Sequence, residues 1–377
     1  MKAITYNGMQ DVRVEKVEDP KIQKPDDVII KVTSTAICGS DLHIFRGTVP
    51  KVARGTVLGH EAMGIVEETG KDIAELKKGD RVIVPFPVSC GHCWYCEHDL
   101  WSLCDNSNPN GEVGGLFGYG DLYGGYDGGQ AEYMRVPYGN VGPKVVPEEL
   151  ADEQVLFLTD ILPTSYWGTL VQGGVKPDDT VVVLGCGPVG LLCMKWAAFG
   201  GASRIIAVDN IPYRLKHAAG YDRVETINFD DYDNTGEYIK QITHGGADVV
   251  VDCVGMDGKR SALETAETLL KIQGGSKSAI EMSSQAVRKG GTVSIVGVYG
   301  ARYNMFPFGD FFSRGITLKM GQCPAQAYVD PILKRIQSGE FDPTDIITHK
   351  ISLEDGRHAY DIFNKRVDNC IKVILKP

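Results

Sequence analysis

At 377 residues, with 43% apolar and 23% charged side chains, the chain has the make-up of a folded protein of two domains, since a single core seldom grows past about 250–300 residues. Its 49 acidic against 39 basic residues leave a formal charge of −10, which repels phosphate backbones and anionic lipid and so argues against nucleic-acid and membrane partners. No apolar run approaches the roughly 20 residues that span a bilayer. Met1-Lys2-Ala3-Ile4-Thr5-Tyr6 reads as a strand rather than a secretory leader, so a cytoplasmic address is expected, with the ten cysteines as thiols, metal ligands or catalytic groups rather than disulfides.

From Met1 to about Pro147, short β-rich runs are punctuated by glycine and aspartate: Val28–Val32, Gly64–Val66, Arg81–Val84 and Glu132–Val136. That pattern predicts a partly closed barrel. Within it, Cys38-Gly39-Ser40-Asp41-Leu42-His43 and the pair His60-Glu61 after Gly59 offer metal-ligating side chains. Phe86, four residues before Cys90, is placed in the substrate pocket.

Cys90, Cys93, Cys96 and Cys104 follow with the spacing C-x2-C-x2-C-x7-C, which lets four thiolates converge on one ion from a single loop. Zinc accepts tetrahedral thiolate coordination without redox chemistry, and a closed four-sulfur shell leaves no room for substrate, so a structural zinc is expected. An iron–sulfur cluster could use the same ligands. Between Gly111 and Gly129, nine of nineteen residues are glycine, which predicts an irregular loop without a regular element, either packed close to something or free on the surface.

Asp160 interrupts the apolar surroundings of Val155-Leu156-Phe157-Leu158, where a carboxylate is costly unless it is paired, bound to metal or capping a helix that starts before Pro163. Together Cys38, His60 and Asp160 would supply the three protein ligands of a catalytic zinc that keeps one position open. Ser40 and His43 lie two and five residues beyond Cys38, a spacing that puts a hydroxyl near the reacting oxygen and an imidazole farther out as a path for its proton. Taken singly, each is equally a turn cap and a surface histidine.

The middle of the chain changes character. Apolar strands at Thr180–Leu184, Ile205–Val208, Val249–Val251 and Thr292–Val296 alternate with helix-length segments, the signature of βαβ units around a parallel sheet buried on both faces. The first strand runs into Gly185-Cys186-Gly187-Pro188-Val189-Gly190 and then the helical run Leu191–Phe199. In this strand–turn–helix context the glycines admit a pyrophosphate to a helix N-terminus. Asp209, at the end of the next strand and twenty-four residues after Gly185, is suited to ribose hydroxyls and would repel a 2′-phosphate, favouring NAD over NADP. Arg214 is either an adenine-stacking residue or a solvated helix arginine. Val254 and Val298 complete the expected cofactor contacts. The last segment, Pro324–Pro377, begins helical, closes on the strand Cys370–Leu375 and is too short to be a domain alone.

Taken in order, these motifs resemble the zinc-containing medium-chain alcohol dehydrogenase family over essentially the whole chain. The resemblance implies an α/β protein in which a GroES-like β-barrel catalytic domain, residues 1–161 and 323–377, is split around a doubly wound, parallel-sheet Rossmann NAD-binding domain, residues 162–322. It implies two zinc ions per chain, with Glu61 as a nearby carboxylate able to take a place at the catalytic one. The family's third ligand is often cysteine. Here Asp160-Ile161-Leu162-Pro163-Thr164-Ser165, with the loop Gly124–Tyr133, is most like the glutathione-independent formaldehyde dehydrogenase-like subgroup, which implies small aldehydes or short primary alcohols as substrates.

The implied reaction uses zinc to acidify the alcohol, Ser40 and His43 to carry its proton away, and NAD as hydride acceptor. A formaldehyde dismutase with retained NAD, a secondary-alcohol dehydrogenase of the sorbitol or threonine type, and a non-catalytic NAD- and zinc-binding scaffold are the alternatives. The run Gly315–Met320 resembles the family's intersubunit strand, so a homodimer or homotetramer is expected.

Overall fold

β-branched and apolar residues keep most of the ten-residue strand Val28–Ile37 buried, and its neighbours assemble on it. It pairs antiparallel with Glu61–Thr69, with Tyr133–Val136 and with the C-terminal strand Lys372–Lys376. The resulting seven-stranded sheet runs Ile347–Ser352, Lys372–Lys376, Val28–Ile37, Glu61–Thr69, Arg81–Val84, Lys144–Val145, with Tyr133–Val136 attached to Val28–Ile37. Val28, Ile30, Val32, Ala62, Val66, Val82 and Val84, all buried, form its core. The computed structural model describes residues 1–258, 275–300, 303 and 305–377. It divides into one unit of Met1–Pro163 with Pro324–Pro377 and a second of Thr164–Cys323.

The second unit is a six-stranded parallel sheet in the order Val224–Asn228, Arg204–Asp209, Thr180–Leu184, Ala247–Asp252, Val287–Ile295, Thr317–Met320. Such an order, stepping outward both ways from the first strand, is that of a doubly wound Rossmann-type sheet. Val181, Val182 and Val183 are fully buried, as a strand covered on both faces requires.

Two departures from the sequence reading have local causes. Val224–Asn228 is an edge strand with exposed residues at its centre, so its apolar run is broken and alternation gave no signal. The Gly111–Gly129 loop does contain regular pieces. Gly115–Leu116 pairs with Pro87–Val88, and the glycine-free run Asp121–Tyr123 forms a 3-10 turn. Among the described residues no helix is long and apolar enough to cross a membrane.

The start of the central strand is fixed electrostatically. Arg135 grips Asp27 with two bonds, Nε to Oδ2 at 2.7 Å and Nη2 to Oδ1 at 3.0 Å, and the Gln23 and Lys24 backbone N–H groups donate to the same carboxylate. Burial alone would push the Asp27 carboxyl up, but the Arg135 fork and these N–H groups outweigh it and hold it below the usual range. A carboxyl lowered by folding stabilises the fold above its unfolded pKa, and that contribution disappears as pH falls through the folded value. Asp27→Asn should therefore cost about 2–3 kcal/mol at pH 7. The gap to wild type should close as the medium is acidified below about pH 4, as read by urea unfolding at several pH values. A gap independent of pH would show that the charge contributes nothing.

Candidate metal centres and dinucleotide turn

The strand Val28–Ile37 ends one residue before Cys38, which caps the short helix Gly39–Phe45. The strand Glu61–Thr69 begins one residue after His60. Asp160 stands between the 3-10 turn Leu156–Thr159 and the helix Ile161–Tyr166. Three sheet or helix ends thus deliver three side chains to one point. Cys38 Sγ lies 3.2 Å from Asp160 Oδ2, and His60 Nε2 also lies 3.2 Å from Asp160 Oδ2. With Glu61 the set comprises four buried residues, each offering a ligand atom, all within 4.8 Å of one another. Zinc bonds of about 2.0–2.3 Å in a tetrahedron put neighbouring ligand atoms about 3.3–3.5 Å apart, so the donors fit a zinc ion with little movement.

Around these ligands stand groups that sequence reasoning missed. Asp41 Oδ1 is 3.2 Å from His60 Nδ1, a contact between two buried atoms that have no other hydrogen-bond partner. A proton shared there leaves the Nε2 lone pair facing the cluster, the usual role of a carboxylate behind a ligating histidine. The motif Cys38–His43 held the clue, since Asp41 occupies the third helical position, where it also accepts the Cys38 backbone N–H at 2.9 Å. Lys372 is wholly buried and donates to Glu61 Oε1 at 2.6 Å and to Ile37 O at 3.0 Å. Nothing in its strand, Lys372-Val373-Ile374-Leu375-Lys376, announced an inward lysine.

The titration of the cluster follows from this crowding. Burial first, then the Asp160 charge, pushes the Cys38 thiol up to about 11. Burial works against charge on His60, but Asp41 and Asp160 outweigh it and hold the imidazole well above its ordinary value. Cys38 and His60 thus hold their protons near neutral pH, and a metal ion bound there would have to displace them. Ser40 Oγ stands 3.2 Å from His60 Nε2, at the rim of the cluster. His43 lies one turn on in the same helix and is buried, not the surface histidine that its position alone allowed. Phe86 donates its backbone N–H to Thr159 O at 2.8 Å and sets its ring edge-on to His60, with centroids 6.2 Å apart.

The four-cysteine lobe is built locally. Cys93 caps the one-turn helix Trp94–Glu97, which carries Cys96 back toward Cys90 and Cys104. Cys93 Sγ is 3.5 Å from Cys96 Sγ and 3.9 Å from Cys104 Sγ. These separations bracket the sulfur–sulfur edge of about 3.8 Å that zinc–thiolate bonds of about 2.3 Å impose, and all ten cysteines are unbridged. Burial pushes Cys96 and Cys104 up. At Cys93 burial is outweighed by the Cys96 and Asp105 backbone N–H groups, which bring it down to about 7. The Cys90 N–H donates to Cys104 Sγ and the Asn106 amide to Cys90 Sγ, each at 3.2 Å.

At the Rossmann-type sheet, the strand Thr180–Leu184 passes through Gly185-Cys186-Gly187 into the helix Pro188–Phe199. Two glycines have internal reasons. Gly185 has left-handed backbone (φ +90°), and a Cβ on Gly190 would stand 1.8 Å from Gly185 O. Gly187 has neither: a Cβ there would meet only Arg214 Nη1, at 3.7 Å. The room it leaves is what close approach of a ligand to the backbone needs. Pro188 and Val189 form the first helical turn.

Asp209 Oδ2 accepts the Cys186 N–H at 2.7 Å, and its Oδ1 accepts those of Asn210 and Ile211 at 2.7 and 3.0 Å, so Asp209 braces the turn and keeps one lone pair on Oδ2 for a ligand. Arg214 is 9% exposed rather than solvated, and its Nε has no hydrogen-bond partner. Val254 meets the turn, its Cγ2 being 3.0 Å from a Cβ placed on Gly185. Val298 O accepts the Met256 N–H at 2.8 Å, tying the two valine-bearing loops together.

Residues 24–148 match the alcohol dehydrogenase GroES-like domain and residues 188–275 the zinc-binding dehydrogenase domain. The chain is 52% identical over 379 residues, covering all of both proteins, to an uncharacterized zinc-type alcohol dehydrogenase-like protein of Bacillus subtilis. It is 36% identical, over 97% of this chain and 94% of that protein, to the glutathione-independent formaldehyde dehydrogenase of the same organism. Among solved structures, an alcohol dehydrogenase from Thermus superposes with a TM-score of 0.86 at 35% identity, covering 100% of this chain and 99% of that one.

The lobe generates its own test. Cys96→Ser should lower bound zinc by one equivalent, measured by elemental analysis, and lower the thermal unfolding midpoint by several degrees. Unchanged zinc content would show that the four thiols hold no metal.

Proposed function

Because the chain belongs to the zinc-type alcohol dehydrogenase family of oxidoreductases, we propose that it transfers hydride between a short alcohol or aldehyde and NAD, using a catalytic zinc on Cys38, His60 and Asp160 and a structural zinc on Cys90, Cys93, Cys96 and Cys104. The observation that carries the reading is the buried convergence of Cys38, His60, Glu61 and Asp160 within 4.8 Å. A purely structural site has no use for an adjacent hydroxyl, whereas Ser40 Oγ stands at its rim.

When bound, zinc supplies a Lewis acid that lowers the pKa of an alcohol, and the nicotinamide supplies the hydride acceptor. The chain's own residues do the rest. Ser40 Oγ takes the proton of the substrate hydroxyl and passes its own toward His43, its neighbour one helical turn away. Asp41 fixes the His60 tautomer, Lys372 occupies one oxygen of Glu61, and the Phe86 ring closes one side against water. Gly185, Gly187 and Gly190 admit the pyrophosphate, Arg214 adds positive charge beside it, and Asp209 disfavours a 2′-phosphate. The unbridged cysteines fit a cytoplasmic setting.

A homodimer or homotetramer completes the reading. Among the described residues Thr317–Met320 is an edge strand of the parallel sheet, and Met320 within it and Met305, Phe308 and Phe312 before it in sequence are 55%, 81%, 71% and 81% exposed, a combination that an isolated chain avoids.

Reduction of NAD during oxidation of ethanol or 1-propanol tests the activity. Asp160→Ala should lower kcat/KM by about a hundredfold or more with the loss of one zinc. Activity within threefold of wild type would overturn the ligand assignment, and nucleotide surviving desalting of the wild type would move the reading to dismutation. Phe312→Asp should convert the assembly to smaller species in sedimentation velocity, and an unchanged sedimentation coefficient would place the interface elsewhere.

A further inference from the structure

The Gly111–Gly129 loop brings one side chain to the cluster that the mechanism above leaves out. Tyr119 is flanked by Gly118 and Gly120, both with left-handed backbone (φ +62° and +80°). A Cβ on Gly118 would stand 2.7 Å from Gly59 N and 2.8 Å from Gly59 O, and one on Gly120 would stand 3.0 Å from Lys51 O. Only glycine lets the loop lie this close to the turn that carries His60. The clip is pinned where Gly118 N–H donates to Tyr126 O at 2.9 Å and Asp121 N–H to Lys51 O at 3.1 Å.

The Tyr119 side chain, 6% exposed, meets the His60 ring edge-on with centroids 6.1 Å apart, as Phe86 does at 6.2 Å. Its hydroxyl donates to Ser40 O at 3.0 Å, and its ring is backed by Tyr123 at 5.2 Å. Two rings therefore stand against one ligating imidazole, and one of them is bonded to the backbone of the residue whose hydroxyl faces that imidazole.

Resting on the dehydrogenase reading, we propose that Tyr119 is a specificity-determining and positioning residue. Its ring, with that of Phe86, narrows the space beside His60 to short unbranched alcohols and their aldehydes. Its hydroxyl fixes the Ser40 backbone, and with it the direction of Ser40 Oγ. An aromatic wall cannot yield to a bulky substrate without losing its contacts on both sides, whereas removing it opens a volume into which a ring can enter.

The test uses zinc-loaded enzyme and two alcohols, ethanol and benzyl alcohol. Tyr119→Ala should raise the benzyl-to-ethanol ratio of kcat/KM by about tenfold or more. Tyr119→Phe should leave that ratio near wild type but lower kcat for both alcohols several-fold and shift the pH profile of kcat, since only the tie to Ser40 is lost. Zinc content and thermal unfolding are measured alongside, and Tyr119→Leu serves the same purpose if the alanine variant does not fold. An unaltered ratio in a zinc-loaded Tyr119→Ala or Tyr119→Leu enzyme overturns the wall, and an unaltered kcat and pH profile in Tyr119→Phe overturns the positioning role. A wild type inactive on both alcohols overturns the dehydrogenase reading itself.

Discussion

Negative charge buried around one imidazole is the constraint on which the first unit depends. Cys38, Asp41, Glu61 and Asp160 are all nearly or wholly excluded from solvent, where an uncompensated carboxylate costs several kcal/mol even after relaxation. Two compensations are present. Lys372 supplies one positive charge, bonded to Glu61 and lying 5.5 Å from the Phe157 ring centre. His60 supplies another while it is protonated between Asp41 and Asp160. A dication bound here would replace that proton and the one on Cys38, two positive charges for two, and leave the net charge of the group unchanged. Metal and proton are therefore alternative occupants of the same electrostatic demand.

Close backbone contact is what holds that charge in place. Gly59 has left-handed backbone (φ +93°), and a Cβ there would stand 2.3 Å from Gln130 Cγ, while one on Gly128 would stand 2.3 Å from Leu58 O and from Gly59 O. Gln130, seated in this space, donates to Ala36 O and Asp41 Oδ2 at 3.2 Å and accepts from the Tyr360 hydroxyl at 2.8 Å. The helix Gly356–Lys365 thereby supports the carboxylate that orients His60. Residues from positions 36 to 360 are coupled through one buried amide, which leaves the ligands few rotamers to sample and lowers the cost of organising them for reaction.

Sequence revealed what is local or periodic and hid what is distant and polar. Four cysteines within fifteen residues declare their purpose by spacing, and the glycine turn does so by its place between an apolar strand and a helix. Cys38, Ser40, His43, His60, Glu61 and Asp160 were each legible as chemistry, and grouping them into one site leaned on the family resemblance, because spacing alone does not show that two strand ends and a 3-10 turn arrive together. Lys372 was invisible, since a lysine ordinarily turns to solvent, and so was Tyr119, one tyrosine in a glycine-rich loop whose composition reads only as irregular. Asp209 shows the reverse effect: the sequence offered it as a ligand group, while the fold also spends it on the Cys186, Asn210 and Ile211 N–H groups.

The same contrast separates the two candidate metal centres physically. The lobe closes loops of only a few residues between its thiols, and the chain entropy lost in gathering them is small, rising only with the logarithm of loop length. An ion held there would be able to organise the segment before the rest of the unit has formed. The residues proposed as catalytic ligands are spread over 122 positions in sequence, from Cys38 to Asp160, and no ion could assemble them from an open chain while also offsetting the ordering of every residue between. There the sheet must come first and the metal second. A site assembled in that order owes its geometry to the packing of Gly59, Gln130 and Asp41 rather than to the ion, and so can hold a zinc with a coordination position still open.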